Sequence, residues 1–140
     1  MSIQVRKVIS GDLNSLLPLV ADFATSFVIS ETAYRKSLHN ILMNPCALAL
    51  VAEDNGTPIG YCLGFYHDTF YANGRVAWLE EIMVSSSYRR RGIGESMMST
   101  FEEWARAQGA VLSALATRRA SAFYEALGYQ ESATYFRKLL

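Results

Sequence analysis

Two apolar runs, "RVAWLEEIMVS" at 75–85 and "AVLSALA" at 110–116, enclose a stretch whose hydrophobic residues recur at helical spacing. Within 92–108, Ile93, Met97, Phe101, Trp104 and Ala105 fall on one side and Glu95, Glu102 and Arg106 on the other, as in a helix with one buried face. Gly109 ends it. A strand, a crossover helix and a second strand in one sheet must run the two strands parallel. That requirement limits the fold more than any other feature of the chain.

Turn and cap residues set out the rest. Asp54-Asn55-Gly56 lies between apolar runs at 46–53 and 58–67, the signal of an antiparallel hairpin. Tyr71-Ala72-Asn73-Gly74 marks the next turn, so three strands follow in series before the crossover. At the start, "IQVRKVI" (3–9) alternates as a strand, and Asp12 is placed to cap a helix from Leu13. Leu13, Leu16, Leu17, Val20, Phe23 and Phe27 give that helix its apolar face. A second helix runs from Glu31 to Met43, ending before Asn44-Pro45. After the crossover come a short helix at 119–127, stopped by Gly128, and a closing strand at 133–140. The expected order is strand, helix, helix, three strands, helix, strand, helix, strand. This is an α/β (α+β) fold with a mixed, mostly antiparallel sheet and helices on both faces. A length of 140 residues is one domain, 1–140.

Bulk properties exclude several classes. Apolar residues make up 51% and charged residues 19%, a globular composition rather than a disordered one. Formal net charge is zero, against the basic surface of a nucleic-acid binder. "CALALVA" at 46–52 is too short to span a bilayer, and "MSIQVRKVIS" lacks the apolar core of a signal peptide, so a cytoplasmic protein with no membrane partner is expected. Cys46 and Cys62 have no metal-ligand spacing and are expected as buried thiols.

Arg89, Arg90 and Arg91 run directly into Gly92-Ile93-Gly94 where strand gives way to helix. Unpaired N–H groups and the dipole at a helix start favour an anion, glycines allow close backbone approach, and guanidinium forks suit phosphate oxygens. A solvated basic turn is the competing reading. A nucleotide P-loop is excluded because no Lys-Ser or Lys-Thr follows the glycines. A dinucleotide fingerprint is a poor match, since its third glycine would fall at Met97.

"WLEEIMVSSSYRRRGIGESMM" closely resembles the acetyl-CoA site of the GNAT superfamily of N-acetyltransferases, with Arg89-x-x-Gly92-x-Gly94 as the turn, and "RRASAFYEALGY" resembles its second signature. The resemblance is strong over 46–140. It implies a direct, ternary-complex transfer from acetyl-CoA, with no metal and no covalent enzyme intermediate, to an amine of a small molecule or peptide. The backbone around Arg89, Arg90, Arg91, Gly92, Ile93, Gly94 and Glu95 would wrap the coenzyme's diphosphate. A bulge would splay the strand ending "EIMV" from its parallel neighbour, freeing Ile82, Met83 and Val84 to pair with the pantetheine arm. Thr117 stands where the family often has Asn. Tyr124 would protonate or hydrogen-bond the leaving thiolate. One of Arg118 and Arg119 would face the coenzyme's phosphates or an anionic part of the substrate, against a solvated charge as the other reading. Dimerisation through sheet edges or the closing strand also follows from the resemblance.

Freeing an alkyl ammonium's lone pair at pH 7 costs about 4.6 kcal/mol, so a base is wanted. Glu80 and Glu81 lie on the right strand, and adjacent strand residues face opposite ways unless a bulge reorients them. The family points to Glu80. Tyr66, His67, Asp68, Phe70 and Tyr71 give an aromatic and acidic cluster with two readings, a cradle for an amine or a cover for the core edge or a dimer contact, and His67 is an alternative base. The rival function is a silent acyl-CoA-binding sensor on the same scaffold.

Overall fold

The computed structural model describes residues 2–140. Strand β1 (Ile3–Lys7) leads through a 3-10 turn to helices α1 (Leu13–Phe23) and α2 (Glu31–Met43). Strands β2 (Ala47–Asp54), β3 (Thr57–Asp68) and β4 (Arg75–Val84) follow, then helix α3 (Ile93–Ala107), strand β5 (Ala110–Leu115) and helix α4 (Ser121–Ala126). The sheet order is β1-β2-β3-β4-β5, antiparallel except for β4 with β5. This is the mixed, mostly antiparallel sheet expected, with the crossover at the expected place. The hairpin turn has Asn55 at φ 48° and Gly56 at φ 85°, the left-handed pair that a two-residue hairpin loop requires.

Each face of the sheet carries its own core. Leu50, Cys62, Ala77 and Leu79 pack against Ile93, Met97 and Phe101 of α3 and Tyr124 of α4. On the opposite face Val51 and Tyr61 pack against Leu16, Leu19 and Leu38 of α1 and α2. Gly64 explains how closely α3 approaches: a Cβ there would stand 2.2 Å from Phe101 Cε1, so only glycine admits that ring. Phe101 is fully buried.

Three expectations fail locally. The closing strand at 133–140 does not form; residues 131–140 are exposed throughout, with Phe136 88% exposed. Tyr135 and Phe136 are neighbours, as are Leu139 and Leu140, so no face of that segment is wholly apolar, and no strand pairs with it to satisfy its backbone. Helix α1 ends at Phe23, leaving Phe27 64% exposed rather than on its apolar face. Asp12 does not cap α1: its carboxylate turns back to accept from Ile9 N–H at 2.8 Å and from the Arg6 guanidinium at 2.9 Å. Glu53 completes this Arg6 network, and Arg6 holds the Asp12 carboxyl below its ordinary pKa.

Candidate active site

Strand β5 accompanies β4 only from Arg75 to Leu79, the last pair being Leu79 with Leu115. Strand β4 continues to Val84, still paired with β3 through Gly60. From Glu80 to Val84 the β5-facing edge of β4 therefore has no partner strand, and a notch opens there. The cause lies on the other edge. Leu63 pairs with Glu81 and Gly64 with Leu79, leaving Glu80 as the extra residue of a bulge. A bulge bends its strand and sharpens the twist.

The notch ends at the arginine-glycine turn. A 3-10 turn at Ser86–Tyr88 precedes Arg89; Arg90 (φ 63°) and Gly92 (φ 78°) are left-handed, and Gly92 is the N-cap of α3. The first hydrogen bond of α3 runs from Ser96 N–H to Gly92 C=O at 3.0 Å. The N–H groups of residues 93–95 thus lie outside the helix's own ladder, at the positive end of its dipole. Beside them is an open cavity of about 430 Å³ lined by Ile3, Val5, Arg91, Gly92, Ile93, Ser96 and Thr100. Arg89 Nε donates to Val84 C=O at 3.1 Å, so that arginine braces the turn against the end of β4. A Cβ on Gly94 would meet the Phe123 ring at 3.3 Å, which brings α4 against the start of α3.

Tyr124, the neighbour of Phe123, is 7% exposed and packs edge-on between the rings of Phe123 and Tyr129. Burial pushes its phenol up to about 12. Among the described residues its hydroxyl makes no hydrogen bond, leaving it available as a donor.

The two glutamates differ sharply. Glu80 is exposed and accepts from Trp78 Nε1 at 2.8 Å. Glu81 is half-buried on the α1–α2 face, where Tyr61 donates to its Oε1 at 2.7 Å. Burial raises the Glu81 pKa, the Tyr61 hydrogen bond opposes that, and the charge of Glu80 adds to it. Desolvation and the adjoining carboxylate drive the Tyr61 phenol far above its ordinary value, so it stays protonated and donates. Sequence reasoning missed Tyr61 and Trp78. The polar aromatic at 61, in an otherwise apolar strand, was the available signal.

The remaining expected residues separate. Ile82 and Val84 pack toward α3 and Met83 toward α1, all three on the unpaired stretch of β4. Thr117 Oγ1 accepts from Ala120 N–H at 3.1 Å, fastening the approach to α4 beyond the end of β5. Arg118 and Arg119 are exposed. Tyr66, His67 and Asp68 are not brought to the notch. They pair with Ala77, Val76 and Arg75, and Val76 precedes Glu81 by a run of strand on the order of 17 Å. Tyr66 instead packs on Trp104, with the Arg75 guanidinium 4.6 Å above its ring, while Asp68 meets Arg75 at 3.5 Å. Phe70 is wholly exposed in the turn beyond. Cys62 is buried in the core, its thiol pushed up to about 12, and Cys46 is partly buried. Among the described residues no three His, Cys, Asp or Glu side chains group to hold a metal, and no helix is long and apolar enough to cross a membrane.

The acetyltransferase (GNAT) family model matches residues 15–129, a range that contains the splayed end of β4, the glycine turn, α3 and α4. The chain belongs to the GNAT family. It is accordingly an N-acetyltransferase. It is 29% identical over 144 residues to thialysine N-epsilon-acetyltransferase from Bos taurus, covering 92% of this chain and 85% of that one. Two solved structures share the GNAT fold of this chain at lower identity. A transcriptional regulator from Bacillus halodurans C-125 superposes with a TM-score of 0.90 at 21% identity, covering 99% of this chain and all of that one. The aminoglycoside N-acetyltransferase AAC(6')-Iy in complex with CoA gives 0.86 at 21% identity, covering 98% and 95%.

Proposed function

We propose that the protein moves the acetyl group of acetyl-CoA directly to a primary amine of a small molecule or peptide. The observation that carries this reading is the free edge of β4 from Glu80 to Val84, which ends at the glycine turn and the first turn of α3. The coenzyme's diphosphate would rest on the N–H groups of residues 92–95, and its two pantetheine amides would pair with the backbone of residues 82–84 as an added strand. The names of the bovine relative and of the CoA-bound neighbour support an amine acceptor and this cosubstrate.

Glu81 is the better base of the two glutamates. Its raised pKa and its fixed, half-buried carboxylate suit proton abstraction near neutral pH. The ammonium gives its proton to Glu81, directly or through water, and the amine's lone pair attacks the thioester carbonyl carbon. The tetrahedral adduct gives its second nitrogen proton to solvent and expels the coenzyme sulfur, with the C–S electron pair leaving on the thiolate. Tyr124 hydrogen-bonds that sulfur. Full proton transfer from a phenol near 12 to a thiolate whose acid is near 8.5 would be uphill by about 5 kcal/mol. Tyr124 therefore stabilises the leaving thiolate, and solvent protonates it later. Glu80, exposed beside Trp78, offers a charge and an indole face to a cationic acceptor.

Thiol release from acetyl-CoA, assayed across small amines and lysine-containing peptides, tests the proposal and separates it from a silent acyl-CoA sensor. Acceptor-dependent release is expected; tight CoA binding with no release toward any amine would leave the sensor.

A second copy is proposed as the partner of the unpaired tail. Residues 133–140 carry exposed Tyr135, Phe136, Leu139 and Leu140, and the last strand of the sheet, β5, exposes Val111 and Leu112. Light scattering on the full chain should give a dimer mass, and Phe136→Asp with Leu139→Asp should give a monomer. A monomer before substitution would exclude the pairing.

A further inference from the structure

We propose that Asp54 and Tyr88 are positioning residues for the coenzyme's phosphates, the β2–β3 hairpin latching the arginine-glycine turn in place. The proposal rests on the reading that this turn binds the diphosphate, and it concerns what holds the turn rather than what the turn holds. Tyr88 Oη donates to Asp54 Oδ2 at 2.7 Å, joining two parts of the chain far apart in sequence. The Tyr88 ring packs against the α3-side core, its N–H donates to Ser85 C=O at 2.9 Å, and Ser85 N–H is itself bonded to Ile59 C=O at 2.8 Å. Both ends of that contact are thus tied to the hairpin. The Arg91 guanidinium lies 5.0 Å from the centre of the Tyr88 ring, a distance at which ring and cation attract.

The turn needs such a hold. Arg90 is a non-glycine residue at φ 63°, a conformation that persists only where the surroundings impose it. The residue before it is fixed by Arg89 Nε on Val84 C=O, and the residue after it, Arg91, lies against the Tyr88 ring, which Asp54 fixes in turn. Main-chain donors grip a diphosphate only if their directions are set before it arrives. With the Tyr88 hydroxyl gone, Arg90 is free to relax toward ordinary backbone angles, and the N–H groups after it turn with it.

Two acetyl donors distinguish a latch from a general structural role. S-acetylpantetheine carries the thioester and the amide arm but no diphosphate. Tyr88→Phe keeps the ring and its packing; Asp54→Ala removes the acceptor from the other side. Each should raise KM for acetyl-CoA about tenfold, the effect of one hydrogen bond to a charged acceptor. Each should leave kcat and KM for S-acetylpantetheine within about twofold, and the double variant should be no worse than the weaker single one. An unchanged KM for acetyl-CoA, an equal rise for both donors, or additive losses in the double variant would overturn the latch. Equal use of both donors by the unaltered protein would instead refute diphosphate binding at the turn, and the latch with it.

Discussion

Replacing Glu81 by Gln should remove the base while keeping the shape of its site, because an amide oxygen still accepts from Tyr61. A general base contributes about 10²- to 10⁴-fold, so kcat/KM at pH 7 should fall by that order. The pH profile is the sharper reading. An alkyl amine is free to about one part in 2,500 at pH 7, and this fraction grows about a hundredfold by pH 9. Without a base the rate must follow it, so the variant's deficit should narrow by a similar factor over those two pH units. The unaltered enzyme should instead lose activity on the acid side as Glu81 takes up a proton, above the ordinary carboxylate range because burial raises its pKa. Stability should move the other way. A carboxyl whose folded pKa is raised binds more protons folded than unfolded, so stability falls as pH rises through that window. At pH 7 the ionised Glu81 is a burden that Gln lacks, and Glu81→Gln should raise the melting temperature while activity falls. Steady-state rates from pH 6 to 9 and a thermal melt check both. A deficit constant with pH, or a variant with unaltered kcat/KM, would remove Glu81 from proton transfer; the same losses in Glu80→Gln would hand the role to Glu80.

Tyr124→Phe should lower kcat about tenfold or more, the scale of one hydrogen bond to a charged group, with the CoA dissociation constant by calorimetry unchanged. Gly64→Ala should destabilise the fold by about 1–3 kcal/mol, because the new methyl meets Phe101 Cε1; denaturant unfolding measures it. Stability should also drop in acid as Asp12 takes up a proton: its folded pKa is lowered by Arg6, so the stabilisation it gives above its unfolded pKa is lost as pH falls through the folded one. Denaturant midpoints at falling pH, with Asp12→Asn as the control lacking this slope, show it.

The crossover unit was legible because Gly92 and Gly109 bound a helix between two apolar runs, and local signals of that kind need no tertiary knowledge. Asp54-Asn55-Gly56 was legible for the same reason. The closing strand was not, because a strand exists only where another strand accepts it, and the composition of 133–140 says nothing of that. Nor could sequence decide between Glu80 and Glu81. Which one is shielded depends on the bulge opposite Leu63 and Gly64, a feature of the strand pairing. The cluster at 66–70 looked like an acceptor site because of its side chains. Its place at the start of β4 rather than beside the notch follows from counting the register, as does the nearness of Tyr61 to Glu81.

The most direct measurement is a titration of the ¹⁵N-labelled protein with CoA, followed by amide shifts residue by residue. The largest changes are expected at the amides of residues 92–95, with a second group at 82–84, and S-pantetheine should move only the second group. Shifts confined elsewhere, with the amides at the start of α3 unmoved at saturation, would contradict coenzyme binding at this turn.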